Sequence, residues 1–176
     1  MSALSNSSVL ISLLKVHITM KPFAFACAAV LIGLSFQTPG YAQDKRQEQI
    51  LAYRQGNMAL VGANFGPMGA MLKGEIPFNL GQVQAYARDL AAVTSIDMMR
   101  GYPAGSEGGR TKSKPDIWLD LDDFGEKMQA LTDAAAELNA TAASGNRNAI
   151  ETRMKAVGKT CKSCHSDYKS KTYLNE

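Results

Sequence analysis

Cysteine and histidine are scarce in this sequence, with three of the one and two of the other among 176 residues, and there is a single tryptophan. Acidic residues are missing altogether before Asp44, where the only basic ones are Lys15 and Lys21. These absences split the chain into two compositional classes. In the first, Met20-Lys21-Pro22 is a short basic start, Phe23 to Phe36 is an apolar run too short to cross a bilayer comfortably, and Gly40-Tyr41-Ala42 is a small-x-small cleavage site. Residues 1–42 therefore read as a secretory signal removed after Ala42. Met1 to Thr19 lie upstream of a second start at Met20, and are either an extended basic region or residues before the true start. A membrane anchor is the competing reading of the leader; the short run and its end in Thr38-Pro39-Gly40 count against it. Cys27 sits in the apolar run without a lipobox-like setting, so lipid attachment is not indicated.

The second class, Gln43 to Glu176, is a single domain of 134 residues with 17 basic and 16 acidic side chains. Its near-zero net charge and lack of any long single-sign block exclude the footprint of a nucleic-acid binder, and no membrane association is expected once the leader is gone. Cys27 and His17 depart with the leader. The remaining two cysteines and one histidine all fall in one pentapeptide, Cys161-Lys162-Ser163-Cys164-His165.

C-x-x-C-H is the attachment signature of c-type haem. Two thiols add to the two vinyl groups of the porphyrin, and the adjacent imidazole becomes an axial ligand of the iron. On a helix Cys161 and Cys164 share a face at i and i+3, with His165 beside Cys161 at i+4. The motif follows an export signal, and covalent haem attachment takes place after export. Other readings fit less well. A structural zinc site needs four ligands, and three are crowded here onto one turn. A thioredoxin-like redox pair belongs near a βαβ pattern. A plain disulfide after export is open to this pair, but leaves the neighbouring histidine a coincidence. One haem c per chain is the expectation.

Apolar positions recur with a helical period in four segments. The first runs from about Asp44 to Leu72, with Ile50, Arg54, Met58, Val61, Phe65 and Met68 along one stripe; Pro67 predicts a kink near Ala63 to Pro67 or a change of helix type. The second opens at the N-cap Asn79 and carries Leu80, Val83, Ala87, Leu90 and Thr94. A long loop containing Tyr102, Pro103, three glycines between 105 and 109 and Pro115 predicts a segment that either wraps a ligand or is mobile. The third helix starts after Asp120 and carries Leu121, Phe124, Met128, Leu131, Ala135 and Leu138, with Gly145 ending it. The fourth opens near Asn146 and places Ile150, Met154, Val157, Cys161, Cys164 or His165, and Tyr168 on one stripe. The fold class is all-α, an antiparallel four-helix bundle with covalently bound haem in its interior. Arg54 on an apolar stripe is costly to bury unless paired, and haem propionates are natural partners; the bland reading is an arginine snorkelling to the surface. Met58 has three readings: core filler, a cap that keeps water off the iron, or a thioether ligand.

Tyr53-Arg54-Gln55, Phe65-Gly66, Lys73-Gly74, Pro77-Phe78-Asn79, Gly105-Ser106-Glu107-Gly108-Gly109, Pro115-Asp116-Ile117-Trp118 and Gly158-x-x-Cys161-Lys162-Ser163-Cys164-His165 with Tyr168 together resemble cytochrome c′, the class II c-type cytochromes, over essentially the whole of 43–176. The resemblance implies an antiparallel bundle, a homodimer pairing through its first two helices, and a five-coordinate, high-spin iron. By position it implies His165 as the proximal iron ligand, Cys161 and Cys164 as the attachment residues, Arg54 and Gln55 near the propionates, Met58 over the open face, Lys169 as a basic residue near the proximal side and Tyr102 at the haem edge. Pro67 and the longer Arg110 to Lys114 segment depart from the common pattern.

Two functions follow. One is a non-enzymatic periplasmic haem protein binding nitric oxide or carbon monoxide, with electron transfer a further capability. The alternative is a low-spin electron carrier with Met58 and His165 both ligating, docking an acidic periplasmic redox partner through Lys159, Lys162, Lys169 and Lys171, which also read as an ordinary solvated helix face. Catalysis is the weakest option, because no second histidine, further cysteine or recognisable acid–base pair is left for proton chemistry at the iron.

Overall fold

The computed structural model describes residues 39–174, with side chains from Gln43 onward. The predicted leader lies outside them except for the backbone of 39–42, which is helical. Helix α1 spans Pro39–Lys73, α2 Leu80–Thr94, a short α3 Asp116–Leu119, α4 Leu121–Ala142 and α5 Arg147–Tyr168. Successive long helices pack against one another, α1 on α2, α2 on α4 and α4 on α5, and a thinner contact between α5 and α1 closes the bundle. Among the described residues no helix is long and apolar enough to cross a membrane.

Local chemistry sets the helix starts. Asn79, Asp120 and Asn146 each accept a hydrogen bond from a backbone N–H three residues on, satisfying one of the donors that a helix start leaves unpaired. At the end of α1 the Gly74 N–H reaches the Met71 carbonyl and the Glu75 N–H the Ala70 carbonyl, which requires the positive φ of 75° that Gly74 supplies. The predicted stripes form the core. Val83, Ala87, Leu90 and Thr94 of α2, Phe124, Met128, Leu131, Ala135 and Leu138 of α4, and Ile150, Met154 and Val157 of α5 are buried. Leu80 departs from its stripe: it sits in the first turn of α2, is 36% exposed, and covers the turn at Gly145 instead.

Two features refine the expectations. Helix α1 continues as α-helix through Pro67, so the helix type does not change there; the missing N–H costs one hydrogen bond and the burial of Met68 and Met71 on either side of the next turn offsets it. The chain is also not wholly helical. Thr111–Ser113 (β1) pairs antiparallel with Lys169–Leu174 (β2) in a two-stranded ribbon with an irregular register. The Lys114 N–H donates to the Tyr168 carbonyl at 3.0 Å and the Lys114 ammonium to the Asp167 carbonyl at 2.8 Å, tying the ribbon to the end of α5.

The long loop is neither loose nor free. Its glycines at 105, 108 and 109 have positive φ, and the carbonyls this exposes are taken by one face of α1. Gln47 donates to the Gly105 carbonyl at 2.7 Å, Arg54 to those of Ser106 and Gly108 at 2.8 and 2.9 Å, and Gln55 to that of Arg110 at 2.8 Å. Trp118 donates its indole N–H to the Pro103 carbonyl at 3.0 Å.

Candidate cofactor site

A cavity of about 650 Å³ opens between α1, α4, α5 and the ribbon, within the range of roughly 300–1,000 Å³ typical of cofactor sites. One wall is α5: Thr160, Cys161, Cys164, His165 and Tyr168. The two thiols are half-buried and free, while His165, one residue round the turn, is exposed beside the opening. The motif thus lies at the rim of the core and not wholly within it. Burial raises both thiols, Cys164 to about 11, with Lys127 opposing, so each cysteine stands as a neutral thiol. Partial desolvation lowers the His165 pKa, and Lys169 lowers it further, favouring the neutral imidazole that a metal requires.

The α1 wall is Met58, Ala59, Val61, Gly62, Phe65 and Gly66. Met58 and Phe65 are part-buried and pack on the core cluster. Phe124, Met128 and Leu131 of α4 complete an almost wholly apolar floor. Tyr102 is buried in an aromatic stack, edge-on to Phe124 with centroids 4.7 Å apart, and Phe124 is edge-on to Tyr168 at 5.2 Å. The stack fixes the end of the loop, of α4 and of α5 against each other.

Arg54 and Gln55 both line the cavity, as expected, but their hydrogen bonds go elsewhere. Arg54 is 3% exposed. Its guanidinium lies over the rings of Tyr102 and Trp118, at 5.8 and 5.2 Å, and its terminal nitrogens donate to loop carbonyls. Burial lowers its pKa, with Tyr102 and Glu107 opposing, and it remains a cation. The terminal nitrogens of Arg54 thus moor the loop while the side chain also lines the cavity. Gly101 makes room for this: a Cβ there would lie 2.8 Å from the Arg54 Cβ. Arg54 Nε and Asn57 Nδ2 are buried without a protein partner.

Four contributors went unnoticed in sequence. Lys127 lines the cavity and bridges Asp123 at 3.4 Å and Asp167 at 3.3 Å; its i,i+4 spacing from Asp123 was the available signal. Lys112, Ser113 and Tyr173 reach the cavity only through the ribbon, which no local pattern announces. Lys169 lines it too, as the first residue of β2.

The donor set fits haem c. Two thiols three residues apart and an imidazole lie on one wall, the opposite wall is apolar, and the cavity is large enough for a cofactor. Among the described residues no group of three His, Cys, Asp or Glu side chains converges as a metal cluster. Comparisons with known proteins agree with the geometry. The family profile described as Cytochrome C′ matches residues 49–169. The cytochrome c′ of Cereibacter sphaeroides is 34% identical over 145 residues, 81% of this chain and 97% of that one. The solved cytochrome c prime of Shewanella frigidimarina is 40% identical and superposes with a TM-score of 0.67, covering 70% of this chain and 96% of its own. A variant of the Alcaligenes xylosoxidans protein, solved as its nitric oxide complex, is 31% identical with a TM-score of 0.64, covering 72% and 97%.

Proposed function

Because the chain belongs to the cytochrome c′ family and carries covalently attached haem c, we propose that it is an exported, periplasmic haem protein that takes nitric oxide or carbon monoxide at a five-coordinate, high-spin iron. Cys161 and Cys164 hold the macrocycle and His165 supplies the axial nitrogen. The cofactor contributes one open coordination position, suited to a diatomic gas.

The observation that carries this reading is the α1 wall. From Met58 to Gly66 no side chain lining the cavity offers a hydrogen-bond donor, so nothing there rewards a polar ligand, and a neutral diatomic is favoured over water. The donors just upstream, Arg54 and Gln55, are turned to the loop. The relative captured with nitric oxide supports the same ligand class. Leu60, Ile76, Leu80 and Ile96, on or beside α1 and α2, are large exposed apolar side chains; they support a homodimer through those helices, which sedimentation velocity over a range of concentrations reads directly.

Met58 lines the cavity, and its sulfur keeps the low-spin electron carrier in view as the second reading, with the exposed Lys159, Lys162, Lys169 and Lys171 available to an acidic partner. Met58→Ala separates the two. As a mere cap, its loss speeds carbon monoxide binding by an order of magnitude or so and leaves the ferrous spectrum high-spin. Conversion of a low-spin parent spectrum to high-spin would establish ligation and sink the gas-binding proposal.

A further inference from the structure

Haem c brings two carboxylates into a cavity whose walls are mostly apolar, so their counter-charges must come from the rim. Of the cations on the cavity, Lys127 is paired with Asp123 and Asp167, whereas Arg54 donates its terminal nitrogens to neutral carbonyls of the loop and keeps its Nε without a protein partner. The ribbon supplies the others. Its two segments, Arg110 to Lys114 and Lys169 to Leu174, carry five basic side chains and no acidic one, and the second extends past residue 169, where the family match stops. Thr111, Lys112, Ser113, Lys169 and Tyr173 of the ribbon face the cavity.

Lys112 is the unusual member. It is half-buried, its ammonium lies 4.9 Å from the centre of the Tyr173 ring, and among the described residues no carboxylate reaches it. Arg110 lies over the same ring at 4.4 Å. Two cations gathered on one aromatic ring at the mouth of an apolar cavity, with no carboxylate among the described residues paired to either, repel each other across it. An acidic group delivered by the cofactor relieves that repulsion. Lys169 is less suited, because it is exposed and its charge falls on His165.

We infer that the ribbon is the seat of a haem carboxylate in this chain, with Lys112 as the cation that holds it and Tyr173 as the ring that positions Lys112. The inference rests on haem attachment and is independent of which gas, if any, the iron binds.

The test uses the holoprotein and four forms of it: parent, Lys112→Met, Lys112→Arg and Lys171→Gln. Methionine keeps an aliphatic stem over Tyr173 and removes the charge. Lys171→Gln removes the same charge from the other strand of the ribbon at an exposed residue that does not line the cavity. The midpoint potential is expected to fall in Lys112→Met, since losing a cation beside the cofactor favours the more positive ferric state. The propionate bending band of the resonance Raman spectrum shifts with it. Lys112→Arg restores both, and Lys171→Gln moves neither. A Lys112→Met protein with the parent's potential and propionate band, or a fall no larger than that of Lys171→Gln, would overturn the inference. If Lys112→Met yields no holoprotein, Tyr173→Leu provides the same comparison: a shifted propionate band supports the seat and an unshifted one refutes it.

Discussion

Arg54 moors the long loop from a position that also lines the cavity. Its burial on an apolar stripe was legible, since Ile50, Met58 and Val61 flank it at helical spacing; its partners were not, because backbone carbonyls some fifty residues away leave no mark in local sequence. Arg54→Ala is expected to destabilise the fold by about 2–4 kcal/mol, the range for losing charge-assisted hydrogen bonds and leaving buried carbonyls unpaired. Urea denaturation checks this, and an unchanged midpoint would remove Arg54 from its role as mooring. Tyr168 supplies a second prediction at this scale. Its hydroxyl donates to Asp123 at 2.5 Å, and that hydrogen bond, followed by burial, pushes its pKa well above the usual tyrosine value. A phenol whose pKa is raised by folding contributes stability fully present below its unfolded pKa of about 10. The contribution is lost as pH rises through the higher folded value. Burial raises the Tyr102 phenol as well, so ultraviolet titration of the folded protein should show two phenols still protonated after the exposed tyrosines have ionised, and Tyr168→Phe should remove one of the two.

At the scale of elements, the caps were the most readable features. Asn79, Asp120 and Asn146 begin their helices because a short polar side chain can reach back to an unpaired N–H, a signal contained within four residues. Pro67 is a case of the opposite kind, since the helix type does not change there. Its ring and missing N–H are strictly local penalties, whereas the burial that carries α1 past it comes from helices remote in sequence. Pro67→Ala is therefore expected to stabilise the protein by about 1–3 kcal/mol, part of the cost of proline inside a helix. Thermal unfolding monitored by circular dichroism checks the sign, and a lower melting temperature would mean that the proline's bend is needed for packing. The ribbon lay beyond sequence reading for a related reason. Thr111–Ser113 is too short to show an alternation, Lys169–Leu174 reads as a polar tail, and only their meeting makes either a strand.

For the whole molecule, a bundle with its motif on the inward edge of the last helix followed from periodicity and the pentapeptide, and the structure has both. The site is less enclosed than the stripe implied, because His165 lies one residue round the helix from Cys164 and faces the opening. Such an arrangement leaves the imidazole proposed to bind the iron near solvent, with the apolar α1 wall lining the same cavity. The central claim is tested most directly by the optical spectrum of the holoprotein, ferric and ferrous, before and after carbon monoxide. A five-coordinate iron gives a broad, unsplit ferrous visible band that sharpens when the gas is added. Sharp ferrous α and β bands that ignore the gas would contradict it, and would make Met58 the sixth ligand of an electron carrier.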